Sequence, residues 1–273
     1  MGGTLSILNN IPSLMAENSL SVTQEKLNST LEQLSSGSRI NSGADDPAGL
    51  AIADGLNANI TALQQSTANA NDGVGALQVA DGALSEVTTL LNRAVTLATE
   101  SANGTVSNSQ RTAINTEFTQ IMAEIDSIGS QTSFNGASVF TAGTTSIFLG
   151  DGNSSSTIGC SVGVLSSAAL GISGDDLTSA GDATTALTAI NNAIATVAST
   201  RGTLGATMNR LTAAVNVMQN EVTNYTSAES SITSADIGTT VSNLSEFQIL
   251  QQTGMAALAQ ANTSQQAVLK LLQ

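Results

Sequence analysis

Few side chains in this sequence are equipped for chemistry. It contains no histidine, which removes the commonest general base, the usual partner of a serine or cysteine nucleophile, and the two-histidine zinc motif. Its one thiol, Cys160, cannot close an intramolecular disulfide. Set in Ile158, Gly159, Cys160, Ser161, Val162, where apolar and small residues alternate, it reads as a small packed hydrophobe rather than a reactive group. The cluster GISGDD, residues 171–176, places two carboxylates beside glycines and invites comparison with calcium and phosphate loops. It lacks the alternating acidic spacing of the first and the Gly-Lys-Ser/Thr of the second, so it reads as an ordinary solvated loop. This supply of residues argues against an enzyme and offers no ligand set for a metal or cofactor.

Composition excludes further classes. The 273 residues are 41% hydrophobic but only 2% aromatic, with no tryptophan, which is poor material for a thick globular core. Net charge is −14, and the cations are Lys26, Lys270 and five arginines, so a surface tracking nucleic-acid phosphates has almost nothing to be made from. No stretch approaches the ~20 apolar residues of a membrane span. The segment MGGTLSILNNIPSLMAEN has neither a basic region nor an uninterrupted apolar core, unlike a cleaved Sec signal; on these signals alone the chain reads as cytosolic.

What the sequence does contain is helical periodicity. One apolar ladder runs Leu56, Ile60, Leu63, Thr67, Ala70, Val74, Leu77, Asp81, Leu84, Thr88, Leu91, Val95, Ala98, keeping one seam on one helix face for about six heptads. A second seam of small residues lies beside it through Ala76, Ala80, Ala83, Val87, Leu90, Ala94 and Leu97. Glycines at 73, 75 and 82 in the same segment cost about 1 kcal/mol each against alanine, a cost that points to close helix approach. Another ladder is Leu187, Ile190, Ile194, Val197, Arg201, Leu204, Met208, Leu211, Val215, Met218, Val222, Tyr225. Arg201 interrupts it, and reads either as a side chain with packed stem and solvated head or as half of an ion pair with another subunit.

The two ends repeat the theme. Residues 5–34 carry Leu8, Ile11, Met15 and Val22 as one stripe and Leu20, Leu27, Leu31 and Leu34 as a second, with a stop expected at Ser35, Ser36 and Gly37. Residues 241–272 carry Val241, Leu244, Gln248, Gln251, Met255, Leu258, Asn262, Gln265, Leu269 and Leu272. A neighbouring seam passes through Phe247, Leu250, Gly254, Ala257, Ala261, Ser264, Val268 and Leu271. Two adjacent seams require contacts on two sides, and one seam alone buries less than backbone ordering costs. The segment therefore needs covering helices.

Between these elements the punctuation is local. Asp46 followed by Pro47 predicts a helix start, and Ser107 with Gln110 has capping-box spacing ahead of the ladder Ile114, Phe118, Ile121, Ile125, Ile128. Ser146–Leu149 and Thr157–Val164 read as a hairpin within a Ser/Thr-rich stretch, and 165–182 as loop. The fold class is mainly α: long heptad-patterned helices forming a coiled-coil-like rod, with a small β-hairpin region mid-chain, about 140–165.

Several long motifs then carry a resemblance. LSSGSRINSGADDPAGLAIAD at 34–54, NANDGVGALQVADGALSEV at 69–87, SANGT at 101–105 and SQTSFNGASVF at 130–140 resemble the N-terminal half of bacterial flagellin. RGTLGATMNRL at 201–211, SADIGTTVSNLSEFQILQQTGMAALAQAN at 234–262 and VLKLLQ at 268–273 resemble its C-terminal half. Ala44 followed by Asp45, Glu229 and Gln273 stand where the family often has other residues.

The resemblance implies a non-enzymatic subunit of the flagellar filament, a polymer that serves swimming, with the hook-filament junction protein of the same family as the alternative. It implies that 1–43 and 235–273 are inner-tube helices that order on assembly and that 44–234 is an outer helical rod. No large variable outer domain fits, since only about 45 residues separate the matched halves. Inner-tube packing would rest on Leu20, Leu27, Leu31, Leu34, Val241, Leu244, Met255, Leu258, Leu269 and Leu272. Implied partners are identical or sister subunits, an export chaperone, the filament cap protein and the hook-filament junction protein. The implied location is extracellular, reached through the flagellar export channel without a cleaved signal, which overturns the cytosolic reading. An animal innate immune receptor is a further implied partner through Arg93, Leu97 and Glu117, with Glu100 and Ile121 departing from the usual pattern.

Overall fold

The computed structural model describes residues 10–151 and 156–271. Among them are five helices, α1 (Ile11–Ser36), α2 (Pro47–Ala102), α3 (Asn108–Gln131), α4 (Ala180–Thr233) and α5 (Ile237–Leu271). Four short strands lie between α3 and α4: β1 (Ser133–Phe134), β2 (Ala137–Ser138), β3 (Thr145–Phe148) and β4 (Thr157–Cys160). The protein is mainly α, as its heptads require, and it divides into two compact units, 1–57 with 225–273, and 58–224.

Helix limits follow local chemistry. Gly37 ends α1 with φ of 71°, a left-handed conformation glycine adopts without penalty, and its N–H donates to the Gln33 carbonyl at 2.9 Å. Asp46 Oδ1 accepts from the Gly49 N–H at 2.9 Å and Pro47 is the first residue of α2, the cap and proline start read from the sequence. At α3 both halves of the Ser107–Gln110 capping box are closed.

In the 58–224 unit both α2 ladders are buried. Leu63, Leu77, Leu84 and Leu91 of the first and Ala80, Val87, Ala94 and Leu97 of the second are all core residues, joined by Phe118 and Ile125 of α3 and by Ile190, Val197, Leu204 and Leu211 of α4. A helix buried along two seams must be flanked on two sides. One flank is marked by an Asp81–Arg201 contact to α4 and the other by an Arg93–Glu117 contact to α3.

Strands β3 and β4 pair antiparallel from Thr145↔Cys160 to Phe148↔Thr157, with Ile158 and Cys160 buried and Thr157 and Gly159 exposed between them. The second strand stops at Cys160, short of the expected Val164, because its partner β3 begins at Thr145, opposite Cys160; farther on, Val164 is exposed. A smaller hairpin, β1–β2, was not anticipated. It turns on Asn135 (φ 51°) and Gly136 (φ 79°), the Asn-Gly pair that a two-residue hairpin turn with positive φ demands.

Two readings need correction. The glycines in α2 mark close approach chiefly by the hairpins, with helix approach only at Gly73, where a Cβ would also lie 3.5 Å from Leu211 of α4. A Cβ at Gly73 would strike the Ile147 side chain of β3, one at Gly75 would lie 3.5 Å from the Phe134 ring of β1, and Gly82 faces open space. It is chiefly the hairpin side chains that need the room. Nor is 165–182 simply a solvated loop. Ile172 and Leu177 are fully buried, the Leu177 N–H donates to Asn115 Oδ1 at 2.9 Å, and the Leu177 carbonyl accepts from Ser101 Oγ at 2.5 Å. Two apolar anchors hold the segment down between its glycines.

Candidate functional site

The features that bear on function are helix faces, and the first belongs to α1 and α5. These helices run antiparallel, because Asn10 Nδ2 donates to Asn262 Oδ1 at 3.4 Å, Gln251 Nε2 donates to Gln24 Oε1 at 2.6 Å, and the Lys26 ammonium lies 5.8 Å from the Phe247 ring centroid. Beyond α1, the Arg39 N–H donates to the Thr233 carbonyl at 2.6 Å and the Ala235 N–H to the Gly37 carbonyl at 3.0 Å, around a Ser38↔Ser234 bridge. The two polar linkers thus pair with each other. Arg39 Nη2 also donates to the Ile232 carbonyl at 2.8 Å, satisfying a carbonyl in the last turn of α4.

Along α1 less exposed positions fall at Ser13, Ala16, Leu20, Thr23, Leu27, Thr30 and Leu34, with Gln24 and Gln33 beside them; along α5 they are Thr240, Leu244, Phe247, Gln251, Gly254, Leu258 and Ala261. The spacing alternates three and four, so each set is one face. On α5 that face straddles the two ladders read from the sequence, drawing Leu244, Gln251 and Leu258 from one and Phe247, Gly254 and Ala261 from the other. Leu20, Leu27, Leu34, Leu244 and Leu258 therefore line the intrachain seam. Leu31, Val241 and Met255 do not: with Ile11, Leu14, Met15, Val22, Ile237, Ile249 and Leu250 they are 44–67% exposed. Leu269 lies in α5, and Leu8 and Leu272 fall outside the described residues.

This pair of helices is apolar both in its seam, through Leu20, Leu27, Leu34, Leu244, Phe247 and Leu258, and on its outer faces. Small and polar residues occupy much of the seam between the helices, while many of the largest apolar side chains point away. Val241, Ile249 and Leu250, with Ser242, Ser245 and Glu246, line an open depression on α5.

The second face is on α2 and α3. Arg93 Nε donates to Glu117 Oε1 at 2.7 Å with both side chains about half exposed. The bond raises the arginine's pKa and holds the Glu117 carboxyl below the usual range. Leu97 is 2% exposed, and Ile121 is buried too. Of the three sequence-singled residues, Arg93 and Glu117 meet on the surface and Leu97 lies in the core.

Arg201 pairs within its own chain. Its Nε donates to Asp81 Oδ1 at 2.8 Å and its Nη2 to Oδ2 at 3.3 Å. Asp81 and Arg201 are the only charged members of their two ladders, a signal that was available for pairing them. Arg111 was missed altogether. Only 7% exposed, it donates to the carbonyls of Ser101 at 2.8 Å and Asn103 at 2.9 Å and to Asn108 Oδ1 at 3.1 Å, tying the end of α2 to the start of α3.

Cys160 is buried, and burial raises its thiol pKa, which suppresses the reactive thiolate. No group of three or more Cys, Asp or Glu converges as a metal site among the described residues. No described helix is long and apolar enough to cross a membrane.

Long paired helices with buried double seams, small hairpins and outward-facing apolar stripes define a class of helical structural subunit. Comparison with known proteins makes the class particular. The model of the bacterial flagellin N-terminal helical region matches residues 7–145, and that of the bacterial flagellin C-terminal helical region matches residues 187–272. The chain belongs to the bacterial flagellin family. A flagellin of Xenorhabdus nematophila is 37% identical over 169 residues, covering 61% of this chain and 54% of that protein. A flagellin of Salmonella muenchen is 39% identical over 160 residues, covering 59% and 32%. The matched part thus spans about half or less of these relatives' length. The crystal structure of Bacillus cereus flagellin aligns at 29% identity over 55% of this chain and 88% of its own, with a TM-score of 0.49.

Proposed function

We propose that this protein is a structural, non-enzymatic subunit that polymerises into the bacterial flagellar filament and so serves swimming motility. The observation that carries the reading is the row of large apolar side chains that the α1–α5 pair leaves exposed, a surface that marks an interaction site. Copies of the same chain cover it. Residues 1–43 and 235–273 then become ordered inner-tube elements, and 44–234 the outer part.

Family membership supports, as proposed partners, identical or sister subunits, an export chaperone binding the C-terminal segment, the filament cap protein and the hook-filament junction protein. The location is the extracellular filament, reached by flagellar export without a cleaved signal. For an animal innate immune receptor, Arg93 and Glu117 form the exposed pair on which docking would fall, with Leu97 supporting the helix from beneath.

The test is seeded growth. Purified monomer mixed with filament fragments is expected to elongate them continuously, as seen by electron microscopy. Growth that stops at short collars identifies the junction-protein alternative, and the absence of any growth removes both.

A further inference from the structure

We infer that Asn135 is a site of spontaneous deamidation, selected by the fold over a second Asn-Gly pair at Asn103, and that its conversion to isoaspartate opens the β1–β2 hairpin over Cys160. The inference concerns the free chain and does not depend on the filament reading.

Asparagine followed by glycine favours this reaction, because a residue without a Cβ leaves its main-chain nitrogen open to the neighbouring carboxamide. The Gly136 nitrogen gives its proton to a base in solution and attacks Asn135 Cγ. As that bond forms, the bond from Cγ to Nδ2 breaks, and Nδ2 takes a proton from water and leaves as ammonia. Water then opens the resulting succinimide ring. Attack at Cγ gives an ordinary aspartate. Attack at the main-chain carbonyl carbon gives isoaspartate, in which the chain continues through the former side-chain carboxyl group. Water is the only co-reactant consumed.

The sequence holds two such pairs, Asn103-Gly104 and Asn135-Gly136, and both asparagines are exposed. Ring closure requires the carboxamide and the main-chain carbonyl of the asparagine to swing until Cγ meets the next nitrogen. At Asn103 both are held. Its Oδ1 accepts from the Thr105 N–H at 3.2 Å, an Asx turn, and its main-chain oxygen accepts from the Val106 N–H at 3.1 Å and from the buried Arg111 Nη2 at 2.9 Å. Asn135 lacks these restraints. Its carboxamide makes no hydrogen bond among the described residues, and a Cβ built on Gly136 meets nothing within 4 Å. The strands that the turn joins are only two residues each, and so short a ladder opens locally at little cost.

The product does not fit the turn. Isoaspartate adds a methylene to the main chain between Phe134 and Ala137, which are partners across the hairpin. Phe134 lines, with Gly73, Leu77, Ile147 and Cys160, a cavity of about 160 Å³ between α2 and the two hairpins. A displaced hairpin uncovers Cys160, which is 6% exposed when the turn is intact.

The experiment is incubation of the full-length chain in mildly alkaline buffer, once folded and once in denaturant, followed by peptide mapping with mass spectrometry and labelling by isoaspartyl methyltransferase. In the folded chain the Asn135 peptide is expected to gain the amide-to-acid mass shift and the methyl label several times faster than the Asn103 peptide. In denaturant the two should convert at similar rates, because the restraints on Asn103 are gone. Asn135→Gly keeps a residue suited to positive φ and should lose the label at this position. Cys160 should then react with a soluble disulfide reagent several times faster in aged parent than in aged Asn135→Gly.

Conversion at Asn135 no faster than at Asn103 in the folded chain overturns the inference. So does a preference for Asn135 that persists unchanged in denaturant, since the fold would not be its cause. Equal Cys160 reactivity in the aged parent and the aged variant overturns the opening of the hairpin.

Discussion

The Arg93–Glu117 bond is the surface feature in which single-residue chemistry is most directly readable. Its chief effect on Glu117 is the hydrogen bond from the Arg93 guanidinium, which depresses the carboxyl pKa. A depressed carboxylate contributes stability that is complete above its unfolded pKa and is lost as pH falls through the lower, folded value. Both side chains are solvent-exposed, so the contribution is small. The expected outcome is an NMR titration in which Glu117 protonates at lower pH than an ordinary glutamate, and returns to the ordinary range in Arg93→Ala. A Glu117 titration that does not move on removal of Arg93 would show that the pair is not formed in solution. Asp45 should behave in the same direction for another reason, because the backbone N–H groups of Asn41 and Ser42 stabilise its charge. Its titration should therefore ignore Arg93→Ala.

At the scale of elements, glycines separate packing from flexibility. A Cβ at Gly129 in α3 would fall on the Leu165 carbonyl oxygen, a backbone atom with little freedom to yield, whereas Gly82 in α2 has nothing within 4 Å. The same substitution should therefore have opposite signs. Gly129→Ala should destabilise by about 2 kcal/mol or more through overpacking, and Gly82→Ala should stabilise by roughly 0.5–1 kcal/mol through helix propensity. Denaturant midpoints of the two variants check this, and equal signs would refute it.

These glycines also mark where the sequence was readable. The helices were legible because Leu63 to Leu91 and Ile190 to Leu211 repeat over many turns, and because Asp46-Pro47 and Ser107–Gln110 act within a few residues of themselves. What met Gly73 or Gly129 was not legible, since Ile147 and Leu165 are brought there by tertiary folding and leave no periodic trace. The α5 seam was hidden for a related reason. With apolar residues around much of the helix, spacing alone does not choose between Val241–Leu244–Met255 and Leu244–Phe247–Leu258, and only the position of α1 decides. Arg111 escaped because its partners are main-chain carbonyls, which every residue carries.

For the molecule as a whole, the dominant fact beside its helices is a net charge of −14. On the proposed filament reading, each subunit that docks onto a growing end would bring that charge against many others of the same sign, while the attraction would come from apolar stripes that act only at contact. Repulsion reaches farther than the stripes when salt is scarce: the screening length is about 30 Å at 0.01 M ionic strength and about 10 Å at 0.1 M. Docking distances are of that order, so the barrier to encounter should fall steeply across this interval. Seeded elongation is expected to accelerate as sodium chloride rises from about 0.01 to about 0.1 M, with light scattering as the measure. Because salt also strengthens apolar association, a charge variant is needed to assign the cause. Glu32→Gln/Glu246→Gln removes two exposed charges from α1 and α5 and should grow faster than the parent at low salt, with the two rates converging at high salt. A parent rate that is flat across the interval, or a variant that keeps the parent's full salt dependence, would show that the rate is set by ordering of the terminal helices rather than by encounter.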